Sequence, residues 1–269
     1  MEKQTALNGY ALITGATGGL GKAFVFALAK RGYSLILTGR SEEKLARLTK
    51  EIQSAYPQTQ TLAIPADLTS ETQRKALMQT IEKRGLTLCL LVNAAGVDIQ
   101  KPVCSYTEEK ILFQCRTNFE SAVSLCRFAI ANKADRLEIV NISSVSGIYP
   151  MPYFAVYSAT KGALTSFSVA LREEMKGKGV AVTAVLPGAM PTREDIMEQI
   201  RGQGLWGKLA QKSPEWVANY ALKAVRKNKR KVIPGFWNKV MRVSTALLPQ
   251  SCKLKFIAKR WSKISKDAF

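Results

Sequence analysis

Four polar side chains in the middle of the chain have the types and spacing that proton transfer at a carbonyl group requires. Tyr157 and Lys161 stand four residues apart, so a single helix would present both on one face. A free tyrosine, with a pKa of about 10, is a poor acid near neutral pH, and a neighbouring ammonium lowers that pKa by stabilising the phenolate. Ser144 ends a predicted strand, and its hydroxyl can donate to the same carbonyl oxygen. Asn118 lies inside a predicted helix, where asparagine is unfavourable without a further role.

A glycine-rich turn near the N-terminus could bind phosphate. Residues 14–21 read TGATGGLG and lie between the first predicted strand and the first predicted helix. Such glycines allow a tight turn, a close approach to a pyrophosphate and close packing of helix on strand, and the helix start offers free N–H groups. The candidate phosphate-binding residues are Gly15, Thr17, Gly18, Gly19, Leu20 and Gly21. A glycine-rich turn also forms for steric reasons alone, so its position carries the prediction.

The end of the second predicted strand bears on which dinucleotide would bind. Folds that bind NAD place an acidic residue there to contact the ribose 2′-hydroxyl. This chain has Thr38-Gly39-Arg40-Ser41 instead, so Arg40 could face a 2′-phosphate and Ser41 could add a hydrogen bond. The alternative is an exposed arginine before a helix. The absence of the acid favours NADP(H) over NAD(H).

The elements that position these residues alternate regularly. Short apolar runs are predicted as strands at 10–13, 34–38, 61–64, 86–92, 137–142 and 180–186, and amphipathic runs as helices at 22–30, 42–55, 70–84, 108–131 and 155–176. Ser70 could cap the third helix. This order predicts an α/β fold, a doubly wound Rossmann-type parallel sheet flanked by helices. We assign residues 1–222 to this domain and 223–269 to a basic amphipathic helical extension.

Composition narrows the chemistry. The chain has 269 residues, 46% of them hydrophobic, which is enough for a sizeable core. It has no histidine, which excludes Ser-His-Asp and Cys-His catalysis and removes the commonest metal ligand, so we predict no metal site. The five cysteines lack C-x-x-C spacing and indicate free thiols of a reducing compartment. With no signal peptide or long apolar run visible, we expect a cytoplasmic protein, or one peripheral on the cytosolic membrane face.

Taken in order, these motifs closely resemble the short-chain dehydrogenase/reductase family in its single-domain form. The resemblance covers about residues 10–192 and rests on TGATGGLG (14–21), Asp67-Leu68, NAAG (93–96), Asn118, NISS (141–144), YSATK (157–161) and PGAMPT (187–192). It implies an oxidoreductase that transfers a hydride from NADPH to a ketone or aldehyde, or reversibly oxidises an alcohol. It also implies a homodimer or homotetramer paired through about 107–131 and 155–176.

The resemblance further implies a role for each site residue. Tyr157 would be the acid or base, Lys161 would lower its pKa and hold the nicotinamide ribose, and Ser144 would orient the carbonyl. Asn118 would hold a water that links Lys161 to solvent. Ser143 is set aside because its spacing to Tyr157 differs by one. Further cofactor contacts would come from Asp67, Leu68, Asn93, Ala94, Gly96, Pro187, Gly188, Met190 and Thr192.

Apolar residues predict the kind of substrate. The side chains expected around the nicotinamide are Val97, Ile99, Ile148, Tyr149, Met151, Tyr153, Phe154 and Met190. They favour a lipophilic carbonyl or alcohol, such as a steroid or a 3-oxoacyl group. Residues 193–211 could form a mobile lid over that pocket or an ordinary amphipathic helix packed on the core, and both interpretations stay open.

The last fifty residues have a different composition. The formal charge is +20, and residues 220–269 contain 14 Lys/Arg and one acid. Leu254, Ile257, Trp261 and Ile264 recur at helical spacing among lysines. Such a helix could contact an anionic membrane or pack across its own domain or a subunit. The absence of a groove-reading motif disfavours nucleic acid. A non-catalytic NADPH-binding sensor or scaffold at a membrane is the alternative function, which the complete catalytic set disfavours.

Overall fold

The computed structural model describes residues 8–191, 211–246 and 248–262. The described residues form one seven-stranded parallel sheet in the order β3-β2-β1-β4-β5-β6-β7. The strands are β1 Tyr10–Thr14, β2 Ser34–Gly39, β3 Thr61–Pro65, β4 Leu88–Asn93, β5 Lys133–Ile142, β6 Val180–Val185 and β7 Lys231–Val232. The predicted doubly wound parallel sheet is therefore confirmed. The lid proposed for 193–211 lies, apart from Gln211, outside the described residues.

Helices cover both faces of the sheet. They are α1 Gly19–Ala29, α2 Glu42–Ala55, α3 Glu71–Lys83, α4 Glu108–Cys115, α5 Ser121–Ala131, α6 Ala155–Glu174, α7 Pro214–Arg226, α8 Phe236–Ala246 and α9 Gln250–Trp261. Every residue of β4 and of β6 is buried, which explains why these strands read as continuous apolar runs rather than alternating ones. Ser70 caps α3 as predicted, since its hydroxyl accepts a hydrogen bond from the Gln73 amide at 3.3 Å.

The strand order reverses between β1 and β4, and this point positions the site. The hydroxyl oxygen of Thr14, at the end of β1, accepts hydrogen bonds from the amides of Ala94 (3.1 Å) and Ala95 (3.0 Å) just past β4. These bonds hold the two strand ends together. In open parallel sheets ligands bind at the carboxyl ends of the strands where the order reverses.

The predicted helix at 108–131 is not regular throughout. A π-helical turn at Arg116–Glu120 joins α4 to α5, and Asn118 lies in it. Such single wide turns are frequent at functional sites because they redirect side chains without ending the helix. The sequence period could not reveal this turn, since it changes the direction of the side chains over only five residues.

Residues beyond 222 also pack on the sheet and pair with it. Helix α7 buries Val217, Ala218 and Ala221 against the core, and β7 then pairs with β6. Two short helices follow, α8 and α9. Helix α8 begins against the sheet edge, where Asn238 is buried and its side-chain amide donates to the Pro234 carbonyl at 2.8 Å.

Candidate active site

The turn after β1 is shaped by glycines that lack room for a side chain. A β-carbon on Gly21 would lie 2.0 Å from the Gly15 carbonyl oxygen, and Gly15 itself has a positive φ of 60°. Helix α1 therefore starts close to β1. Gly18 precedes the helix and has no side chain that could cap it. The N–H groups of the first turn therefore have no side-chain hydrogen bond from the N-cap residue. This arrangement is suited to a bound phosphate.

Arg40 follows β2 and lies beside this turn. A β-carbon on Gly39 would be 3.6 Å from the Thr17 hydroxyl, which shows how close the end of β2 comes to the glycine-rich turn. The exposed Arg40 guanidinium lies over the Phe113 ring, 5.5 Å from its centroid. Ser41 caps α2, and its oxygen accepts from the Lys44 amide at 3.2 Å.

Tyr157 and Lys161 both lie on α6, one turn apart. The Lys161 ammonium is 5.8 Å from the centroid of the Tyr157 ring and donates to the Ile142 carbonyl at 2.9 Å. Only 4% of Lys161 is exposed. This burial lowers the pKa of Lys161 to about 8, while the Asp98 carboxylate acts in the opposite direction.

The loop after β4 closes over the lysine. A β-carbon on Gly96 would lie 3.2 Å from the Lys161 nitrogen and 3.4 Å from the Asn118 amide oxygen. Asn118 accepts from the Val97 amide (2.8 Å) and donates to the Val97 carbonyl (2.9 Å). It also donates to the Thr160 hydroxyl at 3.2 Å. The Asn118 side chain thus fixes the loop against α6, and its role in holding a water stays a prediction.

The two adjacent serines have different surroundings. The Ser143 hydroxyl donates to the Lys161 carbonyl at 2.7 Å and lies 2.7 Å from the Thr165 hydroxyl, so it is engaged with α6. The Ser144 oxygen accepts from the Ser146 amide at 3.1 Å and retains its own proton to donate. Ser144, rather than Ser143, is therefore suited to a carbonyl oxygen.

Two of the cofactor residues implied by the resemblance, Asn93 and Asp67, use their side chains in hydrogen bonds within the protein, and a third, Leu68, is apolar. The Asn93 amide donates to the Asn141 oxygen at 2.8 Å, inside the core. The Asp67 carboxylate accepts from the amide (2.9 Å) and hydroxyl (2.8 Å) of Thr69. Leu68 is buried. Asn93 and Asp67 therefore shape the strand ends through internal hydrogen bonds.

The other residues that the resemblance implies as cofactor contacts follow strand ends, as far as the structure describes them. The Ala94 amide is bonded to Thr14, and the Pro187 carbonyl accepts from Val145 at 3.1 Å. Gly188 packs against Asn238 of α8, so that a β-carbon there would lie 2.7 Å from the Asn238 amide nitrogen. Met190 is half-buried against the core, and Thr192 lies outside the described residues.

Gly147 is a positioning residue that the sequence motifs did not indicate. A β-carbon on Gly147 would lie 2.7 Å from the Gly162 nitrogen and from the Lys161 carbonyl carbon. The short helical turn at Val145–Gly147, which follows Ser144, can therefore approach α6 closely beside Lys161. The available signal was a glycine three residues after Ser144 and another directly after Lys161.

Aromatic rings connect the C-terminal extension with Tyr157. The Phe154 ring lies 4.6 Å from the Tyr157 ring, and the Trp261 ring of α9 stacks on Phe154 at 6.1 Å. Tyr153 has a positive φ of 63°, a strained backbone of the kind concentrated at functional sites. The Tyr149 hydroxyl lies 2.7 Å from the Thr245 hydroxyl of α8. The extension therefore packs on residues predicted to surround the substrate.

Comparisons with known proteins agree with this geometry. The family model described as short chain dehydrogenase matches residues 9–201. A very-long-chain 3-oxoacyl-CoA reductase of Bos taurus is 33% identical over 81% of this chain and 69% of its own. The ketoacyl reductase HetN of a Nostoc strain is 31% identical over 82% of this chain and 77% of its own. A 7beta-hydroxysteroid dehydrogenase structure superposes with a TM-score of 0.82 and 25% identity, covering 93% of this chain and 96% of its own.

The chain belongs to the short-chain dehydrogenase family. It is an NAD(P)-dependent dehydrogenase/reductase, and the family uses a nicotinamide cofactor on a small-molecule substrate.

Burial of Lys161 makes stability depend on pH. Lys161 has a pKa of about 8 in the folded protein and an ordinary pKa of 10.5 in the unfolded chain. Between pH 8 and pH 10.5 the unfolded state therefore binds more protons than the folded state does. We expect the wild type to gain about 1.4 kcal/mol per pH unit over that interval relative to Lys161→Met. Chemical denaturation from pH 7 to pH 10 measures this difference.

Lys178 is exposed, and Lys178→Met is the control for the loss of a surface lysine. Its free energy of unfolding should change with pH in parallel with that of the wild type. Parallel profiles for Lys161→Met and the wild type would contradict the burial of a charged Lys161.

Proposed function

We propose that this enzyme is an NADPH-dependent reductase of lipophilic ketones or aldehydes that uses Tyr157 as its acid. The observation that carries the proposal is the nearly buried Lys161 ammonium one helical turn from Tyr157. In a site of low polarity a positive charge acts on its neighbour far more strongly than it does in water. It therefore favours the phenolate, which lowers the barrier to proton donation from Tyr157 near neutral pH.

The strand-end site suits a nicotinamide dinucleotide. The uncapped start of α1 would hold the pyrophosphate, and Arg40 and Ser41 would hold a 2′-phosphate. Because Arg40 is exposed and rests on Phe113 beside the glycine-rich turn, it can reach a phosphate there. When bound, the reduced nicotinamide supplies the hydride.

The chain's own residues divide the remaining work. Tyr157 donates a proton to the carbonyl oxygen in reduction and removes it from the alcohol in oxidation. The Ser144 hydroxyl donates a hydrogen bond to the same oxygen and orients the carbonyl. Lys161 lowers the pKa of the Tyr157 phenol. Asn118 positions Lys161 by fixing the Gly96–Val97 loop over the Lys161 ammonium.

The substrate is proposed to be a 3-oxoacyl thioester or a similarly lipophilic ketone. The rings of Phe154 and Trp261 continue outward from Tyr157 and give an apolar aromatic wall beside the reacting carbonyl. The name of the Bos taurus relative, a very-long-chain 3-oxoacyl-CoA reductase, points to the same class. The five cysteines carry free thiols, which supports a reducing, cytoplasmic setting. We also propose a homodimer or homotetramer, on the resemblance alone.

Replacing the catalytic phenol separates chemistry from binding. We expect Tyr157→Phe to lower kcat at least about 100-fold on a reactive 3-oxoacyl thioester or ketone, because the acid is lost, while NADPH affinity stays unchanged. Absorbance of the reduced nicotinamide reports turnover, and its fluorescence reports binding. NADPH binding without turnover of any ketone by the wild type would instead favour the sensor or scaffold.

The 2′-phosphate assignment is tested at Arg40. We expect Arg40→Ala to weaken NADPH binding about 10- to 100-fold and to leave NADH binding unchanged, because one charge-assisted contact is lost. Arg47→Ala removes the same charge from an exposed position on α2 and should change neither affinity. Equal effects of Arg40→Ala on both cofactors would refute the assignment.

The aromatic wall predicts a size-dependent effect. We expect Trp261→Ala to raise KM several-fold for long-chain or polycyclic ketones and to leave KM for a small ketone unchanged, because only large substrates extend to that ring. Phe256→Ala is the matched control, since it removes an outward-facing ring from the same helix. Steady-state kinetics on a series of increasing chain length measures the effect, and a uniform rise in KM would contradict it.

A further inference from the structure

The outer surface of the C-terminal helices carries several exposed side chains, although their inner side packs on the enzyme. Leu254, Ile257 and Trp261, the apolar stripe noted in the sequence, are half-buried, and Trp261 stacks on Phe154. On α8, Asn238 is buried against Gly188 and Thr245 contacts Tyr149. These three members of the stripe are therefore partly covered, and the most exposed apolar side chains of the two helices are other residues.

Exposed apolar side chains are concentrated on this outer surface. Among the described residues eight large hydrophobic side chains are exposed, and five of them lie between 236 and 256: Phe236, Met241, Val243, Leu248 and Phe256. Phe236 and Val243 are 69% and 65% exposed and lie two turns apart, on the same side of α8. Exposed apolar patches of this kind mark surfaces that bind a partner or a membrane.

Aromatic rings and lysines connect this side of α8 with α7. The Lys212 ammonium lies over the Trp216 ring at 5.7 Å, and Trp216 stacks on Tyr220 at 5.0 Å. The Lys239 ammonium lies over the Tyr220 ring at 5.9 Å, and Lys239 stands between Phe236 and Val243 on α8. We name the continuous patch of Trp216, Tyr220, Phe236, Lys239 and Val243 the aromatic–lysine face.

The charged residues in the segment that carries this face are almost all positive. Residues 211–262 contain 13 Lys/Arg and one acid, Glu215. On α9, the 72% exposed Phe256 stands between Lys255 and Lys259, both exposed. Rings with one polar edge, together with apolar side chains and long cationic ones, suit the boundary between headgroups and acyl chains. Each lysine near an anionic lipid surface adds to the attraction.

We propose that the aromatic–lysine face, extended by Phe256, docks this enzyme on an anionic lipid bilayer as a peripheral protein. None of the helices in the described ranges is long and apolar enough to cross a membrane. The face combines apolar and cationic groups, and the bilayer offers both complements at once. Nucleic acid would satisfy the charges but would leave Phe236 and Val243 in water, and a second copy of the chain would bring like charges together.

The experiment is co-sedimentation of the full chain with vesicles of phosphatidylcholine alone or mixed with phosphatidylglycerol. We expect at least tenfold stronger binding to the anionic vesicles, weakened by salt, together with a blue shift of tryptophan fluorescence. We expect Phe236→Ser/Val243→Ser to weaken binding at least tenfold. The matched control, Val103→Ser/Leu112→Ser, also removes two exposed apolar side chains and should bind as the wild type does.

A second pair of variants separates local from net charge. Lys239→Gln/Lys255→Gln/Lys259→Gln should weaken vesicle binding about tenfold, whereas Lys83→Gln/Lys176→Gln/Lys178→Gln, with the same net charge, should not. Equal loss in both triple variants, or no binding to anionic vesicles, would overturn the proposal. The proposal would also be overturned if duplex DNA bound the protein with higher affinity than the vesicles do and competed with them. A light-scattering mass that falls in the Phe236→Ser/Val243→Ser variant would assign the face to a second copy instead.

Discussion

The burial of one ammonium group is the constraint on which the rest of this site depends. Lys161 carries its charge in a nearly dry position, where the only described donor contact runs to the Ile142 carbonyl. Removing a charge from water is costly, and the pKa of Lys161, lowered to about 8, expresses that cost. The same poor solvation makes the charge act strongly on the neighbouring Tyr157 ring, so the burial that costs stability is also what the proposed role of Tyr157 as an acid depends on.

Keeping that ammonium in place requires three separate pieces of backbone to meet. Strand β5 supplies the carbonyl acceptor, α6 carries the lysine, and the loop after β4 closes over it at Gly96. Asn118 links the loop to α6 from its π-helical turn. Gly147 has no side chain to separate the Ser144 turn from α6. The geometry of the site therefore depends on close approaches between backbone segments, and at Gly147 the space leaves no room for a methyl group.

The C-terminal extension contacts the candidate active site on one side and solvent on the other. Its inner side reaches the site through Trp261 and Phe154, and its outer side presents Phe236, Val243 and Phe256 among lysines. The Trp261 ring of the proposed substrate wall and the exposed outer side chains thus lie on the same pair of helices, α8 and α9. A bilayer that holds the outer side would place the aromatic wall next to a source of lipophilic molecules.

The sequence by itself determined the alternation of strands and helices, the parallel sheet and the set of polar residues at its edge. These follow from local periodicity and from motifs whose members are close in the chain, such as Tyr157 with Lys161 on one helix. Tertiary structure alone decided that the Asn93 amide faces Asn141, that Asn118 occupies a wide turn, and that the stripe with Trp261 packs inward. Each depends on groups distant in the chain, and a periodic pattern shows that a side chain is apolar or polar without showing which surface it will meet.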